Sequence, residues 1–447
     1  MCLDASLTVN ALDAAPDAHI ACLGVYSMIA FFKSLWRDRR GNALVIGAAA
    51  LPLVLGSAGL AADTIQWALW KRQLQRAADS AAMAGVYSIV QMEGAKDGVQ
   101  DAVTRDLEIN SHVGITTTKD VTSSPSVGAY TSDPYAVRVA LSVQKSLSFS
   151  SLFLSAAPTI SVSATATVVP SGKYCVVSLE DTPTTGINAT GSTYLNLGCG
   201  MITNSTSMNA AVATGSSTVI ASPIAAVGGI PASNNWGTGT TLQPFTIAQE
   251  DPFDDVNPPP MSSACNANKN IANNQSETIA GGCFRSLSIA GTAILSGEII
   301  LDGGGFTVGT QANVTCNGCT IILTNSNPSP TATIGNFEIV GSPTMNWTAP
   351  TSGPYKGLLV YQDRRAVDGT SNNLQNKLRG SSSSYFEGAF YFPKQELEFT
   401  GESGMNTNCL QLVGRRIKFS GNSSINNVCP TGSGAMSFEG KRVRLVE

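Results

Sequence analysis

The sequence predicts a membrane-anchored protein of α+β or all-β class. A long amino-terminal transmembrane helix with a small β-sheet is followed by a β-solenoid domain of the parallel β-helix kind. Three observations predict this. Residues 43–62 form an apolar run without a single charge. About 20 such residues, at about 1.5 Å rise each, cross a bilayer core of about 30 Å. The chain beyond residue 110 is rich in Gly, Ser, Thr, Asn and Ala and poor in Lys and Glu, a composition suited to short strands and tight polar turns. Finally, LEFTGESGMNTNC at 397–409 returns as IKFSGNSSINNVC at 417–429, and periods near 20 residues with Gly corners mark stacked coils.

Residues 1–42 are expected to be a cytoplasmic segment. Lys33, Arg37, Arg39 and Arg40 precede the apolar run and Asp63 ends it. Lys71, Arg72 and Arg76 follow on the far side, so basic flanks alone do not orient the span. The cysteines do. Cys2 and Cys22 precede the run, and the remaining eight, from Cys175 to Cys429, follow it, as expected of disulfides in an oxidising compartment. The amino terminus is therefore placed in the cytoplasm and everything after Asp63 in the periplasm. The apolar stretch 20–32 is too short to span, and Met28 is an alternative start that opens directly onto the basic cluster.

Residues 63–93 lack Pro and continue the helix beyond the membrane. Trp67, Trp70, Leu74, Ala77, Ala81 and Gly85 recur at three- and four-residue spacing on one face. The small residues Ala77, Ala81 and Gly85 allow close approach, either by a partner helix or by the chain's own next domain. Residues 94–170 read as a small β module, with alternating strands at 136–143 and 160–169. A long helix, half in the membrane and followed by a compact sheet, is a pilin-like plan.

Residues 171–447 are the expected solenoid. Stacking coils about 4.8 Å apart brings equivalent cysteines within disulfide reach, which makes Cys409 and Cys429 the best pair. Cys175 with Cys199 and Cys265 with Cys283 follow from sequence order alone. Looser copies of the repeat occur at Ala189-Thr190-Gly191-Ser192, Ile289-Ala290-Gly291-Thr292 and Val340-Gly341-Ser342. The Pro- and acid-rich stretch 244–261 is expected to interrupt the stack as a loop.

Charged residues make up 13% of the 447-residue chain and the net charge is −4, so nothing points to nucleic acid. The two histidines, His19 and His112, stand apart from the cysteines. No zinc set, catalytic triad, metal or cofactor is expected. Cys316-Asn317-Gly318-Cys319 has the spacing of a redox pair, yet a lone CxxC with a central Asn-Gly reads first as a disulfide or a turn. Tyr361, Asp363, Arg364 and Arg365 concentrate charge in a charge-poor region. They form either a ligand patch or a salt-bridged corner with Asp363 on Arg365. Glycoside cleavage needs two carboxylates at a set distance, and Glu387 and Glu396 are the candidates for a second beside Asp363. Asn-x-Ser/Thr sites such as those at Asn188 and Asn422 are expected by chance in so Asn- and Ser-rich a chain.

Residues 37–42 (RDRRGN), the apolar run, 59–63 (GLAAD) and 74–82 (LQRAADSAA) resemble the start of TadG-like proteins of the Tad (tight adherence) machinery, which builds Flp pili on bacteria. Residues 163–167 (SATAT), 357–364 (GLLVYQDR) and 388–394 (GAFYFPK) are similar to that family as well. The resemblance implies a non-catalytic component of pilus assembly, anchored in the inner membrane beside other Tad/Flp proteins, with a β domain that contacts pilus, envelope or surface polysaccharide. The competing readings are a membrane-anchored β-helix enzyme acting on carbohydrate and a surface adhesin. Members often carry a von Willebrand A domain with an Asp-x-Ser-x-Ser metal motif, which this sequence lacks. Processed pseudopilins of the related TadE type carry Glu five residues after the Gly; Ile46 stands there after Gly41, so the anchor is expected to be retained.

Overall fold

A computed structural model describes residues 34, 42–92, 94–110, 118–369, 376–382, 384–401, 405–407, 409–421, 424–427 and 438–447. One continuous helix, α1, runs Asn42–Gln91. It contains Pro52 without ending there, as membrane helices tolerate. From Val45 it is long and apolar enough to cross a membrane, and its most apolar window is wholly unburied by the chain. Leu53 is 75% exposed, which water would penalise and lipid would not.

A second helix, α2 (Val99–Ile109), stands in a stretch expected to belong to a β module. Val99 and Val103, four residues apart, are its buried side chains and Asp101 lies in its first turn, so a short 3.6-residue period is present there. Three strands come next: β1 (Thr118–Ser123), β2 (Val137–Gln144) and β3 (Thr159–Ser178). β2 alternates buried and half-buried residues along its length, and it pairs with both β1 and β3.

The chain divides into two compact units, one of Met1–Ala78, Leu107–Asp120 and Val139–Ser163 and the other of Asp79–Asp106, Val121–Arg138 and Ala164–Glu447. In the second, strands pair in parallel ladders. Leu287 lies beside Phe306 and Phe306 beside Phe337; further along, Leu378 pairs with Phe399, Phe399 with Phe419, Phe419 with Ala189 and Ala189 with Ala213. The rings of Phe306 and Phe337 stack with centroids 5.3 Å apart, and Trp347 stacks on Phe390 at 6.4 Å. All of these side chains are buried, and together they form the core. A separate four-stranded ladder carries 405–407, 424–427, 194–196 and 218–220. The terminal strand Phe438–Leu445 is antiparallel to β3.

The repeat seen in the sequence is a real register: Leu397 pairs with Ile417, Phe399 with Phe419 and Gly401 with Gly421. Beyond this pair, the stacking order departs from the sequence order. The strand Leu410–Gly421 continues not to later residues but back to β3 and to 187–189. The stretch 174–243 thus pairs on the far side of the strand Leu410–Gly421. Residues 244–267 then lead back to the strand Asn268–Ile271 at the opposite end of the column. Eight pairings separate 268 from 211 in that column, about 40 Å at about 4.8 Å per strand. The Pro-rich stretch is therefore a strap running back along the stack rather than an interruption of it.

Cys175 is joined to Cys199, Cys265 to Cys283 and Cys316 to Cys319. Cys409 is disulfide-bonded, while Cys429, Cys2 and Cys22 lie outside the described residues. Asn317-Gly318 does not reverse the chain. It forms a bulge inside the strand Asn313–Thr324, where Cys316 faces Leu295 and Cys319 faces Gly297, and the disulfide closes across that bulge.

Gly421, Gly191 and Gly215 stack at one corner with φ of 81°, 80° and 70°. A Cβ on Gly191 would meet the Gly421 carbonyl oxygen at 3.0 Å. Gly191→Val is expected to lower stability by roughly 1–3 kcal/mol, the usual penalty for a bulky residue in left-handed backbone. Thermal melting followed by circular dichroism would show it as a lower midpoint for Gly191→Val than for the wild type.

Candidate functional site: the apolar helix and the charged clusters of the β domain

In the first unit, Asp63 is buried at the end of the apolar run. Its carboxylate accepts hydrogen bonds from the backbone N–H of Phe149 at 3.1 Å, from the Ser150 N–H at 2.5 Å and from the Ser150 hydroxyl at 2.6 Å. Phe149 lies over Gly59, where a Cβ would come within 2.4 Å of the ring. One turn beyond Asp63, Lys71 sits over the Trp67 ring at 5.3 Å and Lys145 over the Trp70 ring at 4.7 Å. Trp and Lys together are the residues that mark a membrane–water boundary.

Of the face proposed for a partner helix, Trp67 is exposed, Trp70 and Ala77 are half-buried, and Leu74, Ala81 and Gly85 are buried. In the second unit a Cβ on Gly85 would lie 2.8 Å from Val137 Cγ1 and 3.2 Å from Val103 Cγ2. The chain's own β2 and α2 therefore occupy the small-residue notch there, and the exposed remainder of the face is at Trp67.

The charged group at 361–365 is committed internally. Asp363 is 3% exposed; it pairs with Arg365 at 2.7 Å and accepts the Thr324 hydroxyl at 2.7 Å. Burial opposes ionisation of Asp363, but the Arg365 hydrogen bonds prevail and hold its carboxyl below the usual range. Arg364 donates to the carbonyls of Val256, at 2.7 Å, and of Phe253, and pairs with Asp251 at 3.6 Å. Tyr361, Tyr355 and Tyr391 donate to the Val256 carbonyl, the Asn257 carbonyl and the Asp251 carboxylate. Burial pushes the Tyr361 hydroxyl up to about 12. These side chains clamp the returning strap to the stack. Glu387 accepts from Tyr385 and Glu396 pairs with Arg416, so neither is joined to Asp363. His112 and Asn422 lie outside the described residues.

A second clamp is not legible in the sequence. Glu180, fully buried, pairs with Arg415 at 3.0 Å and Arg416 at 2.8 Å, and Arg416 also pairs with Asp368 at 2.6 Å. Burial raises the Glu180 pKa, yet hydrogen bonds from Arg415, Thr182 and Arg416 outweigh it and bring the value down to about 2. The adjacent Arg415-Arg416 in so charge-poor a region is the available signal, but its partner is 235 residues away. A cavity of about 850 Å³ lies elsewhere in the second unit, lined by Tyr87, Tyr135, Phe245, Glu250, Asp251 and Lys441 among others. Among the described residues no group of three or more His, Cys, Asp or Glu side chains could hold a metal ion.

Residues 41–92 match the family model described as "Putative Flp pilus-assembly TadE/G-like". The resemblance to TadG-like proteins of the Tad/Flp pilus system is borne out over α1, and the match does not extend into the β domain. No curated protein and no solved structure matches the chain.

Because the Glu180 pKa falls from 4.5 to about 2 on folding, its contribution to stability is complete above pH 4.5 and is lost as pH drops through 2. Glu180→Gln removes the buried charge that Arg415 and Arg416 share while leaving their pairing with Asp368 in place, and is expected to cost on the order of 1–3 kcal/mol at pH 7. Urea unfolding at several pH values should show the gap from wild type constant above pH 5 and closing towards pH 2.

Proposed function

We propose that this protein is a non-catalytic, membrane-anchored component of a Tad/Flp pilus machinery, with its amino terminus in the cytoplasm and its β domain in the periplasm. The observation that carries this reading is the TadE/G-like match over α1, which among the described residues is the helix apolar, exposed and long enough to span a membrane. The disulfides Cys175–Cys199, Cys265–Cys283 and Cys316–Cys319, all beyond the span, support a periplasmic β domain. The parallel registers and the corner glycines support a β-solenoid. A non-catalytic role is favoured because Asp363 and Glu180 are both held in ion pairs. We place any contact with polysaccharide at the cavity lined by Tyr135, Phe245 and Glu250, where rings and a carboxylate face open space, rather than at the Tyr361 group. The partners on the membrane side are other Tad/Flp assembly proteins.

In-frame deletion of the gene should abolish or strongly reduce surface pili counted by electron microscopy, with plasmid-borne copies restoring them; unchanged piliation would overturn the reading. The gene should also lie beside genes for a secretion ATPase, a prepilin peptidase and small pilins. A reporter fused after Gly94 should be active only if it functions in the periplasm, and cytoplasmic activity there would reverse the topology.

A further inference from the structure

The loop between β2 and β3 carries no charge from Ser146 through Pro158, and its tip is a row of exposed apolar side chains. Leu152, Phe153 and Leu154 are 74%, 76% and 53% exposed. Phe149 and Phe153 contact one another, with centroids 5.4 Å apart. Together with Gly56 and Leu60 of α1, the tip lines an almost wholly apolar notch of about 450 Å³. Those two helix residues belong to the uncharged run, so packing fixes the loop at the depth of that run's outer end.

Irregular backbone enters hydrocarbon only when its polar groups find partners within the protein. Here six consecutive N–H groups do. Phe149 and Ser150 donate to Asp63, Ser151 to the Leu147 carbonyl, Leu152 to Phe149, and both Phe153 and Leu154 to Ser150. The Ser150 and Ser151 hydroxyls are also bonded, to Asp63 and to the Ser148 carbonyl. Lys145 on Trp70 and Lys71 on Trp67 lie on the water side of this turn, as interfacial residues do.

We infer that the turn at 149–154 is a second membrane contact, inserting Leu152, Phe153 and Leu154 among the acyl chains of the outer leaflet beside α1, with Asp63 as the latch that holds it there. This rests on the reading of residues 43–62 as a membrane span. The latch makes anchor and sheet one object: the β2–β3 loop cannot lift from the bilayer without breaking the Asp63 hydrogen bonds.

The test places the photo-crosslinking residue p-benzoylphenylalanine at position 153, at Leu55 in the apolar run and at Phe245, which is exposed and distant in sequence, in the full chain reconstituted into vesicles of alkyne-tagged phosphatidylethanolamine. On irradiation, position 153 should take up lipid tag at a level comparable to position 55, with position 245 near background. Tagging at 55 without tagging at 153 would overturn the inference while leaving the span intact. A crosslinked dimer from 153 in place of a lipid adduct would overturn it in favour of a second copy. Absence of tagging at 55 would remove the span and the inference with it. Asp63→Asn, which keeps the side chain's size, should reduce tagging at 153 and leave tagging at 55 unchanged.

Discussion

The β domain depends on the pairing of the strand Leu410–Gly421 with two parts of the chain far apart in sequence. On one side it continues the register of the strand Tyr385–Gly401, and on the other it pairs with β3 and 187–189. That ladder joins strands from the start of the domain to strands more than two hundred residues later. Backbone bonds run continuously across the seam: Leu179 donates to the Gly414 carbonyl and Ile417 to Gly186, each at 2.8 Å. The Glu180–Arg415–Arg416 cluster sits at this seam, and the Ser178 hydroxyl donates to the Arg415 carbonyl at 2.8 Å. A buried charge is tolerated because two guanidiniums and Thr182 satisfy it. Pairing in any other register would strand it.

The seam explains the strap. Once 174–243 pairs beyond the strand Leu410–Gly421, the chain must return to begin the ladder at 268, and residues 244–267 make that return. A Pro-rich segment cannot add ladder hydrogen bonds at every residue, so it is held instead by Arg364 and three buried tyrosines. The concentration of charge that stands out at 361–365 in the sequence is explained by this duty, with Asp363 and Arg365 forming the corner beside it.

Legibility followed the range of the interaction. The apolar run, the helix through Gln91 and the 20-residue register of 397 on 417 depend on local period, and each could be read directly. The glycine corner at 191 was visible as a loose copy of the repeat, because only Gly tolerates that backbone. The order of stacking was not visible: nothing local in Ile187-Asn188-Ala189 says that it pairs with Ile417-Lys418-Phe419. The same limit hid Glu180, whose ionisation depends on partners more than two hundred residues away. α2 was hidden for a different reason, since two valines four residues apart fit a strand's composition as well as a helix's face.

Helix α1 is where the proposed function rests, because the match to TadE/G-like proteins covers α1 and not the β domain. If α1 only tethered the β domain, an unrelated spanning helix would serve as well. The direct measurement is to replace residues 43–62 with a single-span helix of equal length from a protein outside pilus assembly, keeping Asp63 and everything after it. Surface pili are then counted in cells whose membranes hold the chimaera at wild-type level. The account predicts loss of pili despite normal membrane insertion; wild-type piliation would contradict it and reduce the helix to a passive tether.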